Sequence, residues 1–167
     1  MAAFGFNPSE INGSEYVFET AAKENEFPTK YSFRKYLPSV INQGESPICV
    51  PCSISAFLNW RENLTDGSSK NNKIDCFEIY NNRKTAVDNG MTFKDAFYYL
   101  RHNGVKSQAG EMKINKYAMV RNHVSLKEAI IMNGPCVGGL PVYNYDTEFW
   151  IQKYGDKFEG YHAVAIV

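Results

Sequence analysis

No stretch of this sequence is apolar for long enough to cross a bilayer as a helix, which takes about 18 apolar residues or more in a row. Neither sign of charge dominates: 18 Lys and Arg stand against 18 Asp and Glu, for a net charge of zero. Nucleic-acid binding draws on clustered Lys and Arg for its phosphate contacts, and the chain offers no such cluster, so neither a membrane nor a nucleic acid is expected as a partner. Cysteine is scarce. Four residues, Cys49, Cys52, Cys76 and Cys136, are too few for a disulfide scaffold at this length. Residues 1–10 have neither a basic n-region nor an apolar h-region, so no secretory signal is read. The expected setting is therefore intracellular and reducing, in a cytoplasm or, given the abundance of Asn, Lys, Tyr and Ile, a viral particle. With 167 residues and 44% hydrophobic content, what remains suffices for a core, in one domain or two small lobes.

Residues 1–30 mix Gly, Asn, Ser and Glu with scattered aromatics and read as an irregular N-terminal arm, with a short helix near residues 19–24. Residues 31–40, with Pro38, read as an extended approach, and 42–47 as a loop punctuated by Gly44, Ser46 and Pro47. At Cys49 the pattern changes: Val50, Ile54, Phe57, Leu58 and Trp60 form an apolar stripe that predicts a helix to about Asn63. Pro51 falls in the first turn, where a missing N–H costs nothing. A polar loop over 65–73 leads to a second helix, 74–83. Asp88-Asn89-Gly90 is a turn. Thr92 caps a third helix that ends at Asn103-Gly104. Ser125 opens a fourth, 126–132, closed by Asn133-Gly134-Pro135, and strands follow at 136–142 and 162–167. Helices first and strands later, without βαβ alternation, indicate an α+β fold.

Two segments carry chemistry. In the first, Gln43-Gly44-Glu45-Ser46-Pro47-Ile48-Cys49 leads into a helix. A thiol attacks only as thiolate, and a helix N-terminus favours negative charge through its unpaired N–H groups. Gln43, on the preceding loop, can donate to an oxyanion. In the second, Gly160-Tyr161-His162-Ala163-Val164 opens an apolar strand with an imidazole, after a glycine that leaves room for a substrate. A nearby imidazole activates a thiol.

Together these residues resemble papain-like (C1-type) cysteine peptidases of the divergent bacterial and viral kind, which carry a Gln-Gly loop, a Cys opening the central helix and a late Gly-x-His-Ala-Val strand. The turn at Asp88-Asn89-Gly90 and the Asn133-Gly134-Pro135 strand approach match in order, so that the resemblance covers roughly residues 31–167. It implies a two-lobe α+β fold, with a helical lobe over 31–112 and an antiparallel β lobe over 113–167, preceded by the arm at 1–30. It also implies hydrolysis of peptide or protein substrates through a thioester acyl-enzyme: Cys49 as nucleophile, His162 as its base, Gln43 in the oxyanion hole and Gly90 pairing with extended substrate. No cofactor and no metal are implied.

The sequence departs from the family at several points. Val50 stands where a Trp is usual and Ser46 where a Cys is often found. With about 30 residues ahead of the matching region, the family's long inhibitory propeptide is not expected here. The family's orienting Asn or Asp and its Asn-Ser-Trp stretch are absent, so either a missing C-terminal segment or a second chain is expected to complete the sheet. The alternative reading is a catalytically impaired papain-like domain serving as a structural or binding part of a larger assembly, such as a viral particle. Cys49-Val50-Pro51-Cys52 also matches C-x-x-C, though without the βαβ context of a thiol-disulfide oxidoreductase. On this reading Cys52 packs the first helical turn, and Cys76, Cys136 and the three histidines stand too far apart for zinc. His102 sits at a helix C-terminus, and His123 in a polar connection.

Overall fold

The computed structural model describes residues 4–67, 74–84, 90–108 and 110–167. Its longest helix, α1 (Cys49–Asp66), buries Val50, Ile54 and Leu58 on the face that the periodicity marks. Pro51 lies in the first turn without breaking it, and Gly67, at φ 65°, supplies the left-handed cap. Helix α2 (Cys76–Asn81) is shorter than expected, because the Asp75 side chain accepts from the Phe77 amide and fixes its start. Helix α3 (Phe93–His102) starts where Thr92 caps the Asp95 amide, as read from sequence. Two short strands follow, β2 (Val105–Ser107) and β3 (Gly110–Met112), paired antiparallel.

Helix α4 (His123–Asn133) corrects the sequence reading. Asn122, not Ser125, is the cap: its side chain accepts from the Ser125 amide, so the helix begins at His123, three residues earlier than 126. His123 accordingly opens the helix and reaches Glu24 across 3.3 Å. Strands β5 (Cys136–Val142) and β6 (Gly160–Ile166) pair antiparallel in full register, with Leu140 opposite His162 and Gly139 opposite Ala163. Helix α1 packs on this pair, and Cys49, Val50, Ile54, Leu58 and Ala163 share one core cluster with Ile79, Ala96 and Leu100. The mix of helices and small antiparallel pairs is α+β.

The arm is more ordered than its composition suggests. Residues Val17–Phe18 form β1, which pairs in parallel with β4 (Met119–Val120). The expected helix near 19–24 is a single 3-10 turn at Glu24–Glu26, and a second such turn, Arg34–Tyr36, interrupts the extended approach. Asp88 and Asn89 of the expected turn, and residues 68–73 of the polar loop, lie outside the described residues.

One buried amide holds α2 against α1. Asn59, fully buried, donates to the Ser55 carbonyl at 2.8 Å and accepts from the Ile74 amide at 3.1 Å, just before α2. Asn59→Ala leaves that N–H without its acceptor, and a loss of about 1–3 kcal/mol is expected in urea unfolding.

Candidate active site

Cys49 is the first residue of α1. The N-cap position is held by Ile48, whose side chain offers no oxygen. The donors of the first turn are thus not quenched by a capping side chain, and the Cys49 and Val50 amides act on the thiol. Burial opposes them. Cys49 is only 1% exposed, and the loss of water pushes its thiol pKa up, more than the hydrogen bonds from Ala163 and Gly5 pull it down.

Those two amides locate the site. Ala163 follows His162 in β6, so the strand that carries the imidazole also sends a backbone N–H to the nucleophile candidate. His162 is half-buried between the rings of Phe4 and Phe149, at centroid distances of 6.4 and 5.8 Å. Its Nδ1 is buried without a hydrogen-bond partner among the described residues, and burial lowers its pKa. The Tyr143–Trp150 stretch, read from sequence as a packed loop, supplies Phe149 to this wall. Thiol and imidazole share no hydrogen bond in this conformation. With the thiol raised and the imidazole lowered, both are neutral near pH 7.

Gln43 lies on the loop leading into α1, where its Nε2 donates to the Ser46 carbonyl at 3.2 Å and the Ser46 amide returns to the Gln43 carbonyl at 3.0 Å. Gly44, at φ 56°, turns this loop. Gly90, at φ 145°, borders the site from the side of α3. No group of three or more metal-ligating side chains occurs among the described residues.

The sequence reading missed what fills this space. Residues 4–7 of the arm run through the site. The Gly5 carbonyl accepts from the Met91 amide at 2.8 Å, and the Asn7 amide donates to the Met91 carbonyl at 3.1 Å, so Phe6 and Met91 form a parallel bridge. Gly5 lies so close to Pro47 that a Cβ there would come within 2.0 Å of the Pro47 carbonyl oxygen. A Cβ on Gly90 would come within 2.7 Å of the Gly5 oxygen, and one on Gly139 within 2.0 Å of the Phe6 ring. Phe6 also meets the Phe93 ring at a tilt and the Tyr161 ring edge-on, while Phe4 covers Gly160. The only sequence signal was the pair of aromatics flanking Gly5, in a segment otherwise without pattern.

The arm is also fastened further along. Lys94 donates to the Glu10 carbonyl and the Glu15 carboxylate, at 2.5 and 2.6 Å, and holds the Glu15 pKa down at about 2. The Glu15 contribution is therefore complete above the ordinary carboxylate value of 4.5 and is lost only as pH falls toward 2.

The neutral pair has a measurable consequence. Alkylation of Cys49 by iodoacetamide in the full chain is expected to rise with pH through a midpoint above the ordinary thiol value of 9.0. A midpoint below 7 would show a thiolate–imidazolium pair already formed.

No protein-family model matches this sequence, and no curated protein matches it. Solved structures do. Xylellain, a cysteine protease from Xylella fastidiosa, is 20% identical with a TM-score of 0.76, covering 98% of this chain and 78% of that one. ProCathepsin B S9 from Trypanosoma congolense is 16% identical, with a TM-score of 0.69 over 99% of this chain and 70% of its own. Digestive procathepsin L 3 of the Tenebrio molitor larval midgut is 14% identical, with a TM-score of 0.59 over 92% of this chain and 58% of its own. The chain therefore has the papain-like cysteine protease fold.

Proposed function

We propose that this chain is a cysteine peptidase whose cleft is closed, in the conformation described, by its own N-terminal residues. The observation that carries the reading is the meeting of α1 and β6: Cys49 opens the helix without a capping side chain, and the residue after His162 hydrogen-bonds the thiol. In the proposed reaction the Cys49 sulfur attacks the substrate carbonyl carbon while its proton passes to His162. The oxyanion is held by the Cys49 amide and Gln43, whose side chain turns from the Ser46 carbonyl to do so. The proton on His162 then goes to the leaving amine, and water, activated by the same imidazole, hydrolyses the thioester. Substrate takes the place of residues 4–7, pairing with Met91 beside Gly90.

The arm itself is not poised for cleavage. Gly5 presents its N–H to the sulfur and turns its carbonyl to Met91, whereas attack requires the face of a carbonyl carbon. We read the arm as a plug that leaves by swinging out. The division into lobes at residue 112 and a sheet completed by a further segment or chain belong to the same proposal. The reading is tested by trapping the intermediate. A chain lacking residues 1–7 is mixed with an activated peptide ester, quenched in acid and mapped by mass. An acyl group on Cys49 is expected. Its absence, with the fold intact by circular dichroism, favours the alternative of a binding or structural domain, to which the unpartnered Nδ1 of His162 would then belong.

A further inference from the structure

The C-x-x-C spacing finds its partner outside itself. Cys52, one helical turn beyond Cys49, meets Cys76, the first residue of α2, with the two sulfurs 3.5 Å apart. The sequence reading treated Cys76 as isolated; the fold corrects this, because the Asn59 clamp on the Ile74 amide brings the start of α2 onto α1. Both thiols are free, Cys76 buried and Cys52 half-buried. The Cys52 thiol donates to the Cys76 sulfur, which eases ionisation of Cys76 while hindering that of Cys52. Disulfide bonding requires the sulfurs to close by about 1.5 Å, a side-chain movement.

We propose that Cys52 and Cys76 form a reversible disulfide site, oxidised by a low-molecular-weight disulfide such as oxidised glutathione, that ties the nucleophile's helix to α2 and leaves Cys49 reduced. Ionised Cys76 takes the proton of the more exposed Cys52 as the Cys52 sulfur attacks one glutathione sulfur; the glutathione thiolate released then takes that proton from Cys76. Cys76 thiolate then attacks the Cys52 sulfur, forming the protein disulfide and expelling the second glutathione. Two thiols are oxidised and one glutathione disulfide is reduced to two thiols. Because Cys76 engages Cys52, the Cys49–Cys52 pair does not close, and the thiol needed for acyl transfer is kept out of exchange. This second role rests on the proposed function; the disulfide itself does not.

Mass mapping tests it on the full chain. The protein is reduced, freed of reductant, incubated with millimolar oxidised glutathione, blocked with N-ethylmaleimide after denaturation and digested. A Cys52–Cys76 cross-linked peptide is expected, with Cys49 and Cys136 carrying the blocking group. The thermal midpoint should rise by about 5 °C or more over the reduced protein, because the bond closes a loop in the unfolded chain. In Cys76→Ser, glutathione should remain attached to Cys52. A wild-type chain that ends with glutathione on Cys52, with a Cys49–Cys52 link or with four blocked thiols overturns the proposal, and this wild-type readout stands even if the variant fails to fold. Loss of acyl transfer with the cross-link intact would count against the peptidase reading alone.

Discussion

Cys49→Ser is expected to abolish both peptide hydrolysis and uptake of a thiol-directed epoxide inhibitor, while His162→Ala lowers kcat/KM by about 10²–10⁴-fold. The two effects differ for a physical reason. A serine hydroxyl in the same place is far less acidic than a thiol, even one whose pKa burial has raised, and the proposed mechanism uses no other nucleophile. Removing the imidazole leaves the thiol, its amide donors and the cleft, so slow labelling of Cys49 persists. Gln43→Ala should fall between, costing about 10²–10³-fold in kcat if the amide swings to an oxyanion, with little change in KM. The measurement is kcat and KM on a peptide library with the arm deleted, beside mass mapping of the inhibitor adduct. Selective modification of Cys49 that depends on His162 supports acyl transfer; slow, equal modification of all four cysteines indicates a domain that binds or builds rather than cuts.

Deletion of residues 1–7 should raise the rate of Cys49 alkylation about 100-fold at pH 7, which corresponds to a closed arm favoured by about 3 kcal/mol. Gly5→Val is expected to do the same with a single substitution. Its Cβ lands 2.0 Å from the Pro47 oxygen and 2.7 Å from the Pro47 Cα, both backbone atoms, so the clash is relieved only by moving the arm out. The gain has two sources. Access opens to the reagent, and water returning to the cleft lowers the Cys49 pKa by removing the burial that raises it. The alkylation midpoint should therefore shift to lower pH in the deleted chain. Unchanged rates with an unchanged midpoint would mean that residues 4–7 do not occlude the thiol in solution. Lys94→Ala, which removes the Glu10 and Glu15 anchor without touching the cleft, should give a smaller acceleration in the same assay.

The sequence made some of this legible and not the rest. Helix α1 was readable because its apolar spacing agrees with its core contacts, and α3 because Thr92 caps it by a local bond that any chain can make. The pairing of β5 with β6 was readable as two apolar segments, though not as one register. The α4 start was misjudged because Asn122 and Ser125 are both good caps, and only the bond between them tells which one acts. Cys49, Gln43 and His162 were singled out by residue type and order, which say nothing of distance. The Cys52–Cys76 contact and the arm's course past Pro47 and Met91 depend on non-local packing: a clamp at Asn59 for one, and a row of glycines at 5, 90 and 139 that leave room for backbone and ring for the other. No periodicity encodes such encounters.

The parallel pairing of β1 with β4 fastens the far end of the arm at residues 17–18. A blocking segment tethered a dozen residues away meets the cleft at an effective concentration of about millimolar. On the proposed reading dilution should therefore not relieve the block, a competing peptide must outbid that local concentration, and release followed by recapture is a private event of each molecule.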